Sequence, residues 1–384
     1  MRTIFFSNPL HRRLLPLLPL ARALRLQGHE VAFATAAEAA PWLEPGGFEA
    51  MLFGPGTHEL TAEVACRAGV DILFSSDTDL TAELFAGTRV DLMADEALDR
   101  AARWAPDLII SEHRDLVGPL VARALDVPCA VAVTGPAPQP EELHALSATV
   151  RSRYLDRGLQ PPSRVPSGRW LLDLCPPSLQ REGWQPSPDR IALRGDAAPD
   201  PAEAPSTGSP ADPGRPRVLV AFGAEAGTSV ELGPVIAALR SREVDLVVAP
   251  QDRDVEDLEG DPGRIRLRAG SPAAQDWEAV RAVVHDGDPE ITLAAAARGI
   301  PAVVVPESPE QQEQAERLVA AGAGIALPAG HLHPTAVTAG IDLLLSDRGF
   351  TDAASRIREE IADMPTAAQV AEWLVTSVAA ERKG

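Results

Sequence analysis

Apolar residues fall into short runs separated by longer segments with helical spacing. Thr3-Ile4-Phe5-Phe6 is a short apolar run that predicts a first strand. Leu14 to Leu26 carries a helical pattern broken by Arg22 and Arg25, and Gly28 is the expected stop. Glu30-Val31-Ala32-Phe33-Ala34-Thr35 predicts the second strand. A strand, a helix and a strand within about 35 residues make a βαβ unit, which implies a parallel sheet. The pattern recurs with a strand at Leu108-Ile109-Ile110, a helix from Leu116 to Leu125 and a strand at Ala130-Val131-Ala132-Val133.

From about Gly195 to Pro216 the apolar period vanishes into a Pro/Ala/Ser/Asp stretch that reads as a linker. The βα pattern then restarts. Val218 to Phe222, Leu246-Val247-Val248, Ala282-Val283-Val284 and Ala302 to Val305 predict strands, and Ile236 to Arg240 lies on a helix. The chain therefore divides into a Rossmann-like domain over residues 1–195, a linker over 196–216 and a second Rossmann-like domain over 217–364; residues 365–384 are expected to form a C-terminal helix returning to the first. Ligands of open parallel sheets sit at the carboxyl ends of the strands, so a cleft between the halves is the expected site.

The totals narrow the choices. A length of 384 residues suits two domains, and 45% hydrophobic content is enough for two cores. With 4% aromatics, those cores must be mostly Ala, Val, Leu and Ile. A net charge of −20 argues against a nucleic-acid partner. Cys66, Cys129 and Cys175 are widely spaced and odd in number, which suggests neither a disulfide framework nor a zinc site and fits a reducing cytoplasm. The run Leu14 to Leu20 is short and broken by prolines, unlike a signal peptide, and no stretch reaches the ~18 apolar residues of a membrane span.

Six segments, in order, carry a resemblance. They are Ser7 to Ala21 with Gly28-His29-Glu30-Val31, Pro106 to Glu112, Leu174 to Leu179, Val284-His285-Asp286-Gly287 with Gly299-Ile300-Pro301, Pro306 to Ala315, and Gly322-Ala323-Gly324. Together they resemble the two-domain (GT-B fold) glycosyltransferases that decorate macrolides, enediynes and other natural products. The resemblance implies an α/β fold of two Rossmann-like domains facing across a cleft, the first binding the acceptor and the second the donor. It implies no cofactor beyond a nucleotide diphosphate sugar as co-substrate.

Inverting sugar transfer needs a base for the acceptor hydroxyl and positive charge for the leaving diphosphate. The resemblance puts the base at Arg13, but arginine stays protonated and cannot serve. His11, on the same loop, is a displaced candidate. Glu112 matches the acid that orients the base; here it could pair with Arg13 or act as a base itself.

The donor loop departs further. Where relatives carry His-His-Gly-Gly-x-Gly-Thr, this chain reads His285, Asp286, Gly287, Asp288, Pro289, Glu290, Ile291. Three carboxylates stand where a pyrophosphate would sit, and like charges at ~4 Å cost roughly 1–4 kcal/mol per pair. They could hold a divalent ion or cap the following helix; capping is the simpler reading, and no metal site is assigned. The relatives' Trp-x-Pro segment is replaced at Gly270, and Trp277 reads as core.

Glu310-Gln311 matches the pair that holds the donor sugar, although an exposed charged helix start would look the same. Gly223, opening a glycine-containing loop, matches the segment that approaches the donor. Phe74, Phe85, Leu143, Leu146 and Tyr154 are candidates for lining the acceptor site. Three functions fit this pattern. One is sugar transfer to a hydroxyl of a lipophilic small molecule. The second is nucleotide-independent chemistry on a natural product. The third is a non-catalytic role as auxiliary to an active enzyme, with a homodimer or a partner enzyme as the assembly.

Overall fold

A computed structural model describes residues 1–69, 77–195, 214–222, 232–250, 264–268, 272, 274–328 and 332–381. The linker stretch 196–213, Phe74, Gly223 and Gly270 lie outside the described residues.

The chain forms two compact units. The first comprises Met1–Cys175, Glu182–Arg194 and Pro365–Gly384; the second comprises Pro176–Arg181 and Gly195–Met364. The first unit is built on seven strands: β1 (Arg2–Phe6), β2 (Glu30–Thr35), β3 (Glu49–Leu52), β4 (Leu108–Glu112), β5 (Cys129–Val133), β6 (Trp170–Asp173) and β7 (Arg190–Ala192). They lie in the order β3-β2-β1-β4-β5-β6-β7, and every pairing is parallel. The second unit has six: β8 (Arg217–Phe222), β9 (Asp245–Pro250), β10 (Ile265–Leu267), β11 (Val280–His285), β12 (Ala302–Val304) and β13 (Gly324–Ala326). Their order is β10-β9-β8-β11-β12-β13, again all parallel.

Both sheets are doubly wound. Strand order reverses between β1 and β4 in the first and between β8 and β11 in the second. Such a switch point opens a crevice at the carboxyl ends of the two strands, and loops leaving those ends are free to carry chemistry. The central strands are buried along their whole length, which is why they read as continuous apolar runs. β4 runs two residues past its apolar core, because Ser111 and Glu112 continue the ladder with Val131 and Ala132. That extension brings the Glu112 carboxylate to the switch point.

Phe6, Ala34, Ile109 and Val131 lead a first core packed against the helices Arg89–Trp104 and Val117–Leu125. Val220, Val248, Ala282 and Val303 lead a second, against Leu232–Arg240 and Pro334–Ser346. The C-terminal helix Ala367–Glu381 packs on Leu18–Leu26 within the first unit, and Gln27 Nε2 donates to the Ala368 carbonyl.

Candidate active site

In the first unit, the loop after β1 leads into a four-residue helix, His11–Leu14. His11 and Arg13 stand two residues apart on it and so point in different directions. Arg13 turns inward and is 1% exposed. Its Nη1 donates to His113 Nε2 at 3.1 Å and lies 3.9 Å from Glu112 Oε2. The resulting pair is looser than a direct Arg13–Glu112 hydrogen bond because the His113 ring takes the shorter contact.

Glu112 is fully buried and satisfied by its neighbours: Asn8 Nδ2 donates to Oε1, and the Arg114 amide donates to Oε2 at 2.9 Å. Burial pushes its pKa above the usual carboxylate range, Asp115 adding to the rise and Arg13 opposing it. His113 Nδ1 lies 3.7 Å from Glu112 Oε2.

A second buried pair lies alongside. Arg89 Nη2 donates to Asp115 Oδ2 at 2.8 Å and to the Ser7 carbonyl at 3.1 Å. Asp115 Oδ1 accepts from the amides of Val117 and Gly118 and so closes the start of the next helix. Arg89 thereby ties the β1 loop to the β4 loop.

His11 is half-buried, its ring edge-on to Trp42 at 5.2 Å between centroids. Of the proposed acceptor-lining residues, Phe85, Leu146 and Tyr154 belong to the first hydrophobic core and only Leu143 is half-buried. Packing among core residues accounts for those three positions.

The second switch point is built differently. His285, the last residue of β11, is 0% exposed. Its Nδ1 accepts from the Gly287 amide at 3.0 Å, which fixes the ring with its proton on Nε2. Burial drives the imidazole pKa down to about 3, so the ring is neutral. Nε2 has no partner among the described residues.

Asp286 Oδ1 accepts from the Asp288 amide at 2.9 Å. Asp288 in turn caps the helix Pro289–Ala296, accepting from the amides of Glu290 at 2.8 Å and Ile291 at 3.2 Å. The acidic run is therefore a capping sequence, and no group of three His, Cys, Asp or Glu side chains among the described residues is disposed to hold a metal ion.

Gly287 sits at φ +95°, and a Cβ there would stand 2.8 Å from the Gln311 carbonyl oxygen. This close approach joins the loop to the helix Pro309–Ala320. Gln311 closes a capping box: its side-chain oxygen accepts from the amides of Glu307 and Ser308, and its own amide donates to Ser308 Oγ. Glu310 is half-buried beside it, and Trp277 is buried beneath the Arg298 guanidinium.

Comparison with known proteins joins these two halves. Residues 22–193 match the N-terminal domain of the erythromycin biosynthesis protein CIII-like family, and residues 234–376 match its C-terminal domain. The L-demethylnoviosyl transferase of Streptomyces niveus is 31% identical over 97% of both chains. The chain belongs to this family of natural-product glycosyltransferases. Among solved structures, the glycosyltransferase SnogD from Streptomyces nogalater is 28% identical, covers 98% of this chain and 99% of its own, and superposes with a TM-score of 0.77. The Streptomyces sp. SF2575 glycosyltransferase SsfS6, complexed with thymidine diphosphate, is 25% identical over 98% of this chain and 99% of its own, with a TM-score of 0.76. The family has the GT-B fold, and both Rossmann-like sheets of this chain conform to it.

Sequence reasoning missed Asn8, Arg89, His113 and Asp115. The one local signal was the polar run Glu112-His113-Arg114-Asp115 directly after an apolar strand. Among the described residues, no helix is long and apolar enough to cross a membrane.

Proposed function

We propose that this chain transfers a sugar from a nucleoside diphosphate sugar to a hydroxyl of a small-molecule natural product, with inversion at the anomeric carbon. The observation that carries the reading is kinship with a sugar transferase along 97% of both chains, so that both domains are present and in order. A relative complexed with thymidine diphosphate supports thymidine as the nucleoside of the donor. Three free cysteines, two of them buried, suit a cytoplasmic setting.

In this reading the acceptor oxygen attacks the anomeric carbon, the bond from that carbon to the diphosphate oxygen breaks, and the hydroxyl proton passes to a base. We assign that base to His11. Its imidazole is half-buried rather than sealed, and a neutral imidazole nitrogen can accept the acceptor's proton. Glu112 is less suited, because its buried oxygens already accept from Asn8 and Arg114. Arg13 and Glu112 serve as the frame that fixes the His11 loop. The leaving diphosphate belongs to the β11 loop from His285 to Glu290, together with Gly223, and Glu310 and Gln311 belong to the donor sugar.

The test is incubation of the full chain with thymidine diphosphate sugars and a panel of hydroxylated aglycones, read by mass spectrometry. The expected result is an aglycone heavier by one glycosyl unit, and its absence across the panel would refute the reading. His11→Ala should lower kcat about 100-fold or more. Unchanged turnover in that variant, with activity lost in Glu112→Gln, would move the base to Glu112.

A further inference from the structure

We infer that Asp288 is a resident anion that competes with the donor's diphosphate at the amino end of the helix Pro289–Ala296. The inference rests on the nucleotide-sugar reading above. The first amides of a helix have no partner within it and attract anions, aided by the helix dipole. Here two of them, Glu290 N and Ile291 N, already donate to Asp288 Oδ1. The Asp288 amide is likewise taken, by Asp286 Oδ1. A phosphate oxygen arriving at this helix end meets occupied donors and a negative side chain.

A separate observation on the same loop points to a ligand. The His285 ring is locked by the Gly287 amide, and its Nε2–H is buried with no partner among the described residues. A buried donor left open costs about 1–3 kcal/mol, and folded proteins keep few of them. An oxygen of a bound ligand would satisfy it. A side chain at Gly287 would meet the Gln311 carbonyl, so glycine is required where this loop passes the helix Pro309–Ala320.

The loop thus carries one buried open donor, at His285, and two helix-end amides that a tethered carboxylate occupies. Donor binding must displace that carboxylate, so nucleoside and sugar carry most of the recognition and the product diphosphate leaves readily.

Calorimetric titration with thymidine diphosphate tests this, using the full chain, Asp288→Ser and Asp288→Gly at low salt with EDTA present. Serine keeps a neutral cap, and matched melting temperatures confirm that each variant is folded. Both variants should bind at least tenfold more tightly than the unmodified chain. Equal affinity in all three, or weaker binding in the variants, overturns the inference. If the unmodified chain still glycosylates an acceptor, that failure leaves the functional reading standing. Absence of thymidine diphosphate binding in all three overturns both.

Discussion

At the β1–β4 switch point, charged side chains are buried and answered by opposite charges: Arg89 by Asp115, and Arg13 by the more distant Glu112. At the β8–β11 switch point, the buried Asp286 and Asp288 accept from backbone amides, and the buried His285 is neutral. The strand order is the same over six strands, yet the first crevice is held by paired charges and the second by a capped helix. Topology fixes where a site can form, while residues on two loops decide which charge it tolerates.

The largest expected effect comes from acid at the second point. His285 is held neutral in the folded chain with a pKa of about 3 against an ordinary 6.5. Its contribution is present above pH 6.5 and is lost as pH falls toward 3. At about 1.4 kcal/mol per tenfold change in proton affinity, it is on the order of 5 kcal/mol. Denaturant titrations between pH 7 and 3 should show a shallower decline in His285→Gln than in the unmodified chain.

Arg89→Met tests the first point. It strands the buried Asp115 charge and should cost about 3–5 kcal/mol in chemical denaturation. Adding Asp115→Asn should recover part of that loss; full additivity would mean that the pair is not coupled. Glu112 gives the opposite pH sign to His285. Its folded pKa is raised, so its contribution is present below the ordinary carboxylate range and is lost as pH rises through the raised value. Glu112→Gln should remove that slope.

Gly287→Ala forces a side chain onto a left-handed backbone and into the Gln311 carbonyl, for about 1–3 kcal/mol. The smallest effect is Asp288→Ala, which loses the helix cap for about 0.5–2 kcal/mol, whereas Asp288→Ser should be nearly neutral in stability. A larger loss in the serine variant would mean that the charge, not the cap, matters there.

The fold was legible because strands buried on both faces write themselves as apolar runs, as in Ala282-Val283-Val284 and Ala302 to Val305. The Asp288 cap was legible too, since an acid before proline at a helix start is a local signal. Arg89 was not: it pairs with Asp115 and the Ser7 carbonyl, 26 and 82 residues away in sequence. His113 was hidden for the same reason, its partner Arg13 lying 100 residues earlier. Phe85, Leu146 and Tyr154 lie in the first core, a placement the sequence does not separate from pocket lining, because an aromatic or aliphatic residue in a variable loop region reads alike in either setting.

The defining activity proposed for this chain is moving a sugar off a nucleoside diphosphate. Its most direct test is simultaneous measurement of thymidine diphosphate released and glycoside formed by the full chain. One-to-one stoichiometry is expected, with both products suppressed together in His11→Ala. Glycoside appearing without nucleotide release, or no release with any acceptor, would contradict it.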